Sequence, residues 1–251
     1  MSAGPEAGLP FFVVSAVPGP GEFLLDGDEG RHAATVRRLR PGERLMLTDG
    51  RGSRAVAEVV SAGRGSLTLR VGDAALDPEP ALRVTLVQAL PKGERSDLAV
   101  DLATEAGVDE IVPWQSARCV ARWTGSPDKA TRGRARWQSV ALAAAKQSRR
   151  SRVPGVRPLA DTADVAALVR SSACALVLHE SGSEPIGAVT MPAAGTMVLI
   201  VGPEGGLAPE ELETFVAAGA RVVRLGPEVL RTSTAAVVAL GALGVLTGRW
   251  A

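Results

Sequence analysis

Five apolar residues run directly into a glycine-rich loop in Met197-Val198-Leu199-Ile200-Val201-Gly202-Pro203-Glu204-Gly205-Gly206-Leu207. A continuous apolar run of this kind is typical of a strand that is buried on both faces of a parallel sheet. Glycines directly after the strand permit positive φ and let backbone amides approach a ligand closely. Because ligands of such sheets bind beyond the carboxyl ends of the strands, the segment predicts an α/β domain with a ligand site at this loop.

The surrounding sequence alternates buried strands with helices. We predict further strands at residues 84–87, 111–112, 175–178 and 221–225, and helices at residues 94–106, 133–149, 209–218 and 234–246. In the first helix Leu98, Leu102 and Ala106 recur with helical spacing and are expected to form its apolar face. The alternation predicts a parallel sheet covered by helices on both faces.

The first part of the chain has a different pattern. Short strands are predicted at residues 11–14, 44–48, 55–60 and 66–70, separated by turn sequences rich in Pro and Gly. This spacing is typical of a small barrel or sandwich. Asp77-Pro78-Glu79-Pro80 then forms a stiff polar break, because each proline lacks an amide donor and restrains its predecessor. We therefore predict two domains, residues 1–76 and residues 77–251.

Composition restricts the class of protein. The 251 residues are 46% hydrophobic and 22% charged, which is ordinary for a globular chain. No run reaches the roughly 18 apolar residues that a membrane-spanning helix needs, and the first five residues lack the features of a secretion signal. Two distant cysteines, Cys119 and Cys174, predict neither a disulfide framework nor a metal cluster. These features favour a cytoplasmic protein without a membrane partner.

The net charge of +1 hides two concentrated positive segments. Residues 118–152 contain ten basic residues and one acidic residue, a charge of +9, and residues 31–44 contain five arginines and one glutamate, a charge of +4. The rest of the chain has a charge of −12. This distribution is what a polyanion site requires, although solvated helix faces would also explain one such segment.

Two more loops follow predicted strands, and both contain polar residues. His179-Glu180 follows Leu178, and the longer loop from Leu225 ends in Arg231-Thr232-Ser233-Thr234 at the start of the last helix. A helix N-terminus favours anions, but Ser and Thr are also ordinary helix caps. Glu204 in the glycine loop would repel phosphate, so the loop suits a neutral or cationic ligand better than a nucleotide phosphate.

These motifs resemble one known family. Val201-Gly202-Pro203-Glu204-Gly205-Gly206-Leu207 followed by Leu225-Gly226-Pro227-Glu228-Val229-Leu230-Arg231-Thr232 closely resembles the SPOUT (trefoil-knot) methyltransferases. The specific match is to the family that methylates N3 of a uridine in small-subunit ribosomal RNA. Similar stretches occur at residues 31–42, 92–95 and 136–154, and the resemblance extends from about residue 10 to Trp250.

The resemblance implies a fold, a cofactor and partners. The expected fold is a PUA-like β-barrel for RNA followed by a knotted parallel-sheet SPOUT methyltransferase domain. The expected cofactor is S-adenosylmethionine, bound in the knot, and the expected partners are a second copy of the chain and 16S rRNA in the small ribosomal subunit or a late assembly intermediate. The cofactor-binding residues implied by position are Leu178, His179, Gly202, Pro203, Glu204, Gly205, Leu225, Gly226, Leu230, Arg231, Thr232, Ser233 and Thr234.

RNA binding is assigned to the basic segments. The predicted RNA-binding residues are Arg31, His32, Arg37, Arg38, Arg40, Lys92, Arg95, Arg118, Arg122, Arg149, Arg150 and Arg152. Arg231 is the predicted catalytic residue, because a guanidinium can stabilise the anion that develops on uridine; the alternative is a structural ion pair with Glu204. His32 is assigned to RNA contact rather than proton transfer, and His179 is expected to be a packed loop residue. Trp123 and Trp137 are candidate stacking residues, with a core position favoured for Trp137.

The sequence departs from the family pattern at four positions. Ser233 stands where many relatives have Glu, so this position cannot supply a carboxylate base. Lys146 replaces a usual Glu, Arg149 a small residue and Ala106 a Leu. Two other functions remain open: a methyltransferase of the same fold that acts on tRNA, and a non-catalytic rRNA-binding assembly factor. The intact glycine and Leu-Arg-Thr motifs argue against the second.

Overall fold

A computed structural model describes residues 8–250. Residues 1–7 of the predicted first domain and Ala251 of the predicted second lie outside the described residues. The chain forms two compact units: the first extends to Glu79 and includes Ala145–Val153, and the second contains Pro80–Ala144 and the chain from Pro154 onward. The predicted second domain comprised all of residues 77–251, whereas the structure groups residues 77–79 and Ala145–Val153 with the first unit.

A five-stranded sheet forms the first unit. Its strands are β1 (Phe11–Val13), β2 (Gly21–Leu25), β3 (Arg44–Thr48), β4 (Ser53–Ala62) and β5 (Leu67–Leu76), in the order β1-β3-β4-β5-β2. β1 runs parallel to β3, and the other neighbours are antiparallel. The buried core includes Phe12, Leu45, Leu47 and Leu69. β2 is missing from the prediction, because Pro18-Gly19-Pro20-Gly21 is typical of a turn and hides the strand that begins at its last residue.

Two short helical segments follow β2. Helix α1 (Gly27–Arg31) continues into a π-helical turn at His32–Val36. The chain then passes through Arg38, whose φ of 55° lies in the left-handed region. π-Helical turns often occur at functional sites. Arg31 and Arg37, both predicted to bind RNA, flank this turn at its two ends.

A seven-stranded parallel sheet forms the second unit. Its strands are β6 (Leu82–Ala89), β7 (Glu110–Trp114), β8 (Gly155–Val156), β9 (Cys174–Leu178), β10 (Glu184–Pro185), β11 (Gly195–Val201) and β12 (Arg221–Arg224). The order is β10-β12-β9-β11-β6-β7-β8. β11, the strand quoted first, pairs with β9 and β6, and its last five residues are all buried. The predicted parallel sheet is confirmed.

Five helices belong to or begin in this unit. They are α2 (Arg95–Glu105), α3 (Pro127–Gln147), α4 (Thr162–Ser171), α5 (Pro209–Ala217) and α6 (Thr232–Leu246). The four predicted helices are present, although α3 begins six residues earlier than predicted, and α4 is absent from the prediction. None of the helices within residues 8–250 is long and apolar enough to cross a membrane.

The predicted apolar face of α2 is wrong at Leu98, whereas Ala106 packs against the core. Ala99, Val100 and Ala103 are buried, whereas Leu98 is 43% exposed. Small side chains allow α2 to pack closely against α6, and the larger Leu98 lies on the exposed side of the helix.

Candidate functional site

Three loops at the carboxyl ends of β9, β11 and β12 line one cavity of about 800 Å³ in the second unit. β9 lies between β11 and β12, and Leu178 at its end pairs with Val201 on one side and Val223 on the other. The sheet register therefore brings residues 178–180, 202–207 and 225–231 together although they are distant in sequence. We call this space the loop cavity.

Eleven of the thirteen predicted cofactor residues line the loop cavity. They are Leu178, His179, Gly202, Pro203, Glu204, Gly205, Leu225, Gly226, Leu230, Arg231 and Thr232. Ser233 is buried in the first turn of α6, and the Thr234 hydroxyl donates to the Arg231 carbonyl at 3.1 Å; neither residue lines the cavity. Their assignment to the cofactor stays a prediction without support from the cavity.

Further residues that were not predicted to bind the cofactor also line the loop cavity. Additional lining residues are Arg95, Arg118, Glu180, Val201, Gly206, Leu207, Pro209, Leu212, Arg224, Glu228, Val229 and Ala235. The complete lining thus includes four arginines and three glutamates among glycines and apolar residues, together with His179 and Thr232. The Arg95 and Arg118 side chains, predicted to bind RNA, reach the same cavity as the glycine loop.

A tight turn shapes the glycine loop. The Gly206 amide donates to the Pro203 carbonyl at 2.9 Å, and the Gly206 φ of 71° is a conformation that other residues rarely adopt. The Glu204 carboxylate accepts a hydrogen bond from the Lys92 amide at 3.1 Å. This contact links the loop to the segment between β6 and α2.

Gly182 lies in the loop after β9, next to the lining residues His179 and Glu180, and was not predicted from the sequence. A Cβ at this buried position would lie 2.7 Å from the Val223 carbonyl carbon and 2.9 Å from the Arg224 nitrogen. The His179 amide donates to the Val223 carbonyl at 3.0 Å, and the Gly182 amide donates to the His179 carbonyl at 3.1 Å. The loop after β9 is therefore packed against the backbone of β12, with space for glycine only. The feature of the sequence that could have identified this position is a glycine three residues after His179.

Arg231 occupies the N-cap position of α6. Its carbonyl accepts the amides of Thr234 and Ala235, each at 2.9 Å, and its exposed side chain lines the loop cavity. The Glu204 carboxylate accepts the Lys92 amide, and within residues 8–250 the Arg231 side chain forms no ion pair. The structure thus gives no support to the alternative in which Arg231 pairs with Glu204.

The histidine after β9 is a loop residue, as expected. His179 is half-buried, and its Nδ1 lies 2.7 Å from the Ser181 hydroxyl and accepts the Ser181 amide at 3.2 Å. These local contacts stabilise the turn after β9.

The predicted RNA-binding residues of the first unit fall into two groups. Arg37, Arg38, Arg40 and Arg149 are exposed, and we call these four residues the basic surface. Arg152 is different, because its guanidinium donates to the Asp77 carbonyl at 2.6 Å and to the Arg51 carbonyl. Arg31 forms an ion pair with Asp28.

His32 lies in a half-buried cluster of the first unit. Its ring is 5.7 Å from the Phe12 ring, and its Nδ1 is 3.4 Å from the Lys146 Nζ, which also forms a 2.6 Å ion pair with Glu29. Burial, and next the charge of Lys146, lower the pKa of His32 below its ordinary value. A lowered pKa keeps the imidazole neutral at pH 7, so His32 would offer RNA a neutral ring rather than a cation.

The remaining predicted RNA-binding residues occupy varied positions. Lys92 and Arg122 are exposed, with the Arg122 guanidinium 3.4 Å from the Ala117 carbonyl, and Arg150 is half-buried. The favoured core position of Trp137 is confirmed, since it is 1% exposed and its indole donates to the Ser96 hydroxyl at 2.8 Å. Trp123 is half-buried, and its ring centroid lies 5.1 Å from that of Trp137 in an edge-to-face arrangement; its stacking on a base stays a prediction.

Comparison with known proteins agrees with this geometry. Residues 78–244 match the family model described as an RNA methyltransferase domain, and residues 25–72 match the RNA methyltransferase PUA domain. The chain is 52% identical to the ribosomal RNA small subunit methyltransferase E of Mycobacterium bovis over 95% of this chain and 92% of that protein.

Solved structures are similar over almost the whole chain. The ribosomal RNA small subunit methyltransferase E of Neisseria gonorrhoeae, crystallised with S-adenosyl methionine, has a TM-score of 0.83 and 29% identity, covering 95% of this chain and 98% of that one. A methyltransferase from Legionella pneumophila in complex with the same cofactor has a TM-score of 0.79 and 27% identity, covering 94% and 96%. The predicted PUA-like domain and parallel-sheet methyltransferase domain are thus confirmed, and the chain belongs to the RNA methyltransferase family, among the ribosomal RNA small subunit methyltransferases E.

Proposed function

We propose that this protein transfers the methyl group of S-adenosylmethionine to N3 of a specific uridine in 16S rRNA of the small ribosomal subunit. The observation that supports it best is the loop cavity, which three strand-end loops form at the edge of the sheet where ligands of such sheets bind. Two relatives of the same fold were crystallised with this cofactor. A ribosomal substrate also implies a cytoplasmic location.

The residues of the loop cavity fit S-adenosylmethionine. A volume of about 800 Å³ lies within the range of small-molecule sites, roughly 300–1,000 Å³. Leu178, Leu225 and Leu230 supply apolar contact area for an adenine ring. Glu180, Glu204 and Glu228 supply negative charge for a cationic sulfonium, which agrees with the expectation that the glycine loop does not serve a phosphate.

The reaction requires charge stabilisation by the protein. Uridine N3 is a weak acid, so its proton must leave before or as the methyl group forms a bond to N3. When bound, S-adenosylmethionine supplies an already activated methyl group. We assign to Arg231 the stabilisation of the negative charge on the uridine ring; this is supported by its position in the cavity lining and by the positive potential at the N-terminus of α6.

The basic surface supports an rRNA substrate. Exposed arginines contact phosphates along a polyanion without reading its sequence. This surface belongs to the unit that contains the PUA domain match, residues 25–72.

We also propose that the protein acts as a homodimer with α6 in the interface. α6 is apolar on every side, which is typical of a helix covered all round. Yet Val238 and Val245 are 46% and 74% exposed, with Ala242 between them on the same face. Leu98 is exposed on α2, which packs against α6. Analytical ultracentrifugation should show a dimer that Val245→Glu weakens; a wild-type monomer would contradict this part of the proposal. The trefoil knot stays a prediction of the family resemblance.

The decisive experiment compares rRNA from a deletion strain with rRNA from its parent. Mass spectrometry and primer extension of 16S rRNA should show loss of one N3-methyluridine, restored by the wild-type gene. Persistence of that nucleotide in the deletion strain would refute the proposal. Loss of a methyl group from tRNA instead would favour the tRNA alternative, and an rRNA defect rescued equally by Arg231→Ala would favour an assembly factor.

A further inference from the structure

Glu211 is a buried carboxylate that faces no cation. It is 5% exposed, and in residues 8–250 it forms no ion pair. Its oxygens instead accept the Ser116 hydroxyl at 3.0 Å, the Ala117 amide at 2.8 Å and the Ala208 amide at 3.0 Å. A charge is buried at such a position only when hydrogen bonds replace its hydration. The Glu211 carboxylate and its three hydrogen-bond donors therefore form a fixed junction between segments of the chain.

The junction joins two segments beside the loop cavity. Ser116 and Ala117 belong to the turn after β7, and Ala208 immediately precedes α5 and follows the glycine loop. Ordinary helix capping explains only the contact with Ala208, in which a Glu at the third helical position reaches back to the cap amide. The two contacts with residues 116–117 have no role in capping.

Arg118 is the next residue of that turn, and it lies against the glycine loop. A Cβ at Gly205 would lie 3.3 Å from the Arg118 Cβ and 3.4 Å from its carbonyl oxygen. The Arg118 guanidinium donates to the Gly205 carbonyl at 3.3 Å, and the residue is exposed at the edge of the loop cavity. Thus a cation at the mouth of the cavity is attached to a turn that Glu211 holds.

We infer that Glu211 is a positioning residue that fixes the Ser116-Ala117-Arg118 turn, so that Arg118 presents its guanidinium to an RNA phosphate at the mouth of the loop cavity. The inference rests on the proposed function, since it takes RNA as the substrate. Glu211 itself contacts neither RNA nor cofactor. Its effect on RNA must therefore pass through Arg118.

A double-mutant cycle tests that dependence. Glu211→Gln keeps the shape but removes one acceptor, and Arg118→Ala removes the cation. Each should raise the Kd for a 16S rRNA transcript about tenfold, the factor expected for one charge-assisted hydrogen bond, and the double variant should be no weaker than Arg118→Ala alone. Filter binding at fixed salt measures the Kd without any turnover. Glu210→Gln, a change at the exposed neighbouring residue, should leave the Kd unchanged.

A second pair of variants covers the case in which Glu211→Gln does not fold. Ser116→Ala and Thr162→Val each remove one hydroxyl donor to Glu211, but only Ser116 lies in the Arg118 turn; the Thr162 hydroxyl is 3.4 Å from the carboxylate. Ser116→Ala should weaken RNA binding with an unchanged Kd for S-adenosylmethionine, and Thr162→Val should change neither. Equal effects of the two would overturn the inference.

The remaining outcomes separate this inference from the proposed function. Additive losses in the double variant, or a melting temperature that falls while RNA affinity stays constant, would make Glu211 purely structural. Failure of the wild-type protein to methylate 16S rRNA would refute the proposed function, whereas the binding cycle would still decide whether Glu211 acts through Arg118.

Discussion

The loop cavity and the basic surface are built in opposite ways. The loop cavity is defined by backbone: strand register sets the positions of its three loops, and Gly182 and Gly206 allow conformations or contacts that a side chain would prevent. The basic surface is formed by the guanidinium groups of four exposed arginines that lie on short segments of the chain. Single substitutions should therefore have large local effects in the cavity and small, cumulative effects on the surface.

The largest effect is expected at Arg231. Arg231→Lys keeps a positive charge but loses the planar fork of donors, and we expect kcat to fall about a hundredfold, as for loss of one donor to a developing anion. The Kd for S-adenosylmethionine should change little. Single-turnover methylation of small subunits measures the rate, and isothermal titration measures the affinity.

Arg224→Lys is the matched control, since Arg224 also lines the cavity but lies at the end of β12. Full turnover of Arg231→Lys with unchanged cofactor affinity would remove Arg231 from the chemistry. Equal losses of turnover in Arg231→Lys and Arg224→Lys would show that the arginines of the cavity are interchangeable, as expected for a charged surface.

The next largest effect is expected at Gly182. In Gly182→Ala the added methyl group would overlap the β12 backbone, which must move, and overpacking of this kind costs about 1–3 kcal/mol. We expect the Kd for S-adenosylmethionine to rise about tenfold with a smaller change in RNA affinity. Gly187→Ala is the control, because a Cβ there meets nothing within 4 Å. An unchanged cofactor Kd in Gly182→Ala would show that the loop after β9 does not shape the cofactor site.

The cavity was more predictable from sequence than its surroundings. Buried strands followed by glycine are local patterns, and parallel strands place their carboxyl ends at one edge, so the three loops were found correctly. Gly182 was missed because its need for glycine arises from β12, 41 residues later in the chain. α2 shows the same limit: spacing favoured Leu98, but the smaller Ala99 and Ala103 are buried instead.

The sequence predicted a positively charged surface, but it did not predict which of the basic residues are exposed. Counting arginines located both positive segments, yet it could not separate Arg149, which is exposed, from Arg152, whose guanidinium donates to backbone carbonyls. That distinction depends on the position of Asp77, 75 residues earlier in the chain.

A salt titration of RNA binding tests this distinction. Arg37→Gln with Arg38→Asn should reduce the slope of log K against log salt by about 1.8 if both contact phosphate in a duplex. Asn is chosen at position 38 because it tolerates the left-handed φ of 55°. Arg152→Ala should keep the slope but lower the free energy of unfolding by about 1–3 kcal/mol, since it removes the charge-assisted hydrogen bonds to the Asp77 and Arg51 carbonyls. The reverse result would place the RNA contact at Arg152.

The smallest effect is expected at His32, in the half-buried cluster with Phe12 and Lys146. Burial and the Lys146 charge lower the pKa of His32 in the folded chain below 6.5, its ordinary value. At a pH between the folded and the unfolded pKa, the unfolded chain therefore binds more protons than the folded chain. The free energy of unfolding should therefore fall as the pH decreases below about 6.5 and level off below the folded pKa. His32→Gln should lack this component, and because both proteins share all other titrating groups, the difference between their urea unfolding curves isolates it. Lys146→Glu would replace the repelling cation with a carboxylate beside His32 and should make the difference smaller, because burial, the larger cause, would remain. A wild-type protein that gains stability over His32→Gln on acidification would show that Glu29, not Lys146, dominates the charge at this imidazole.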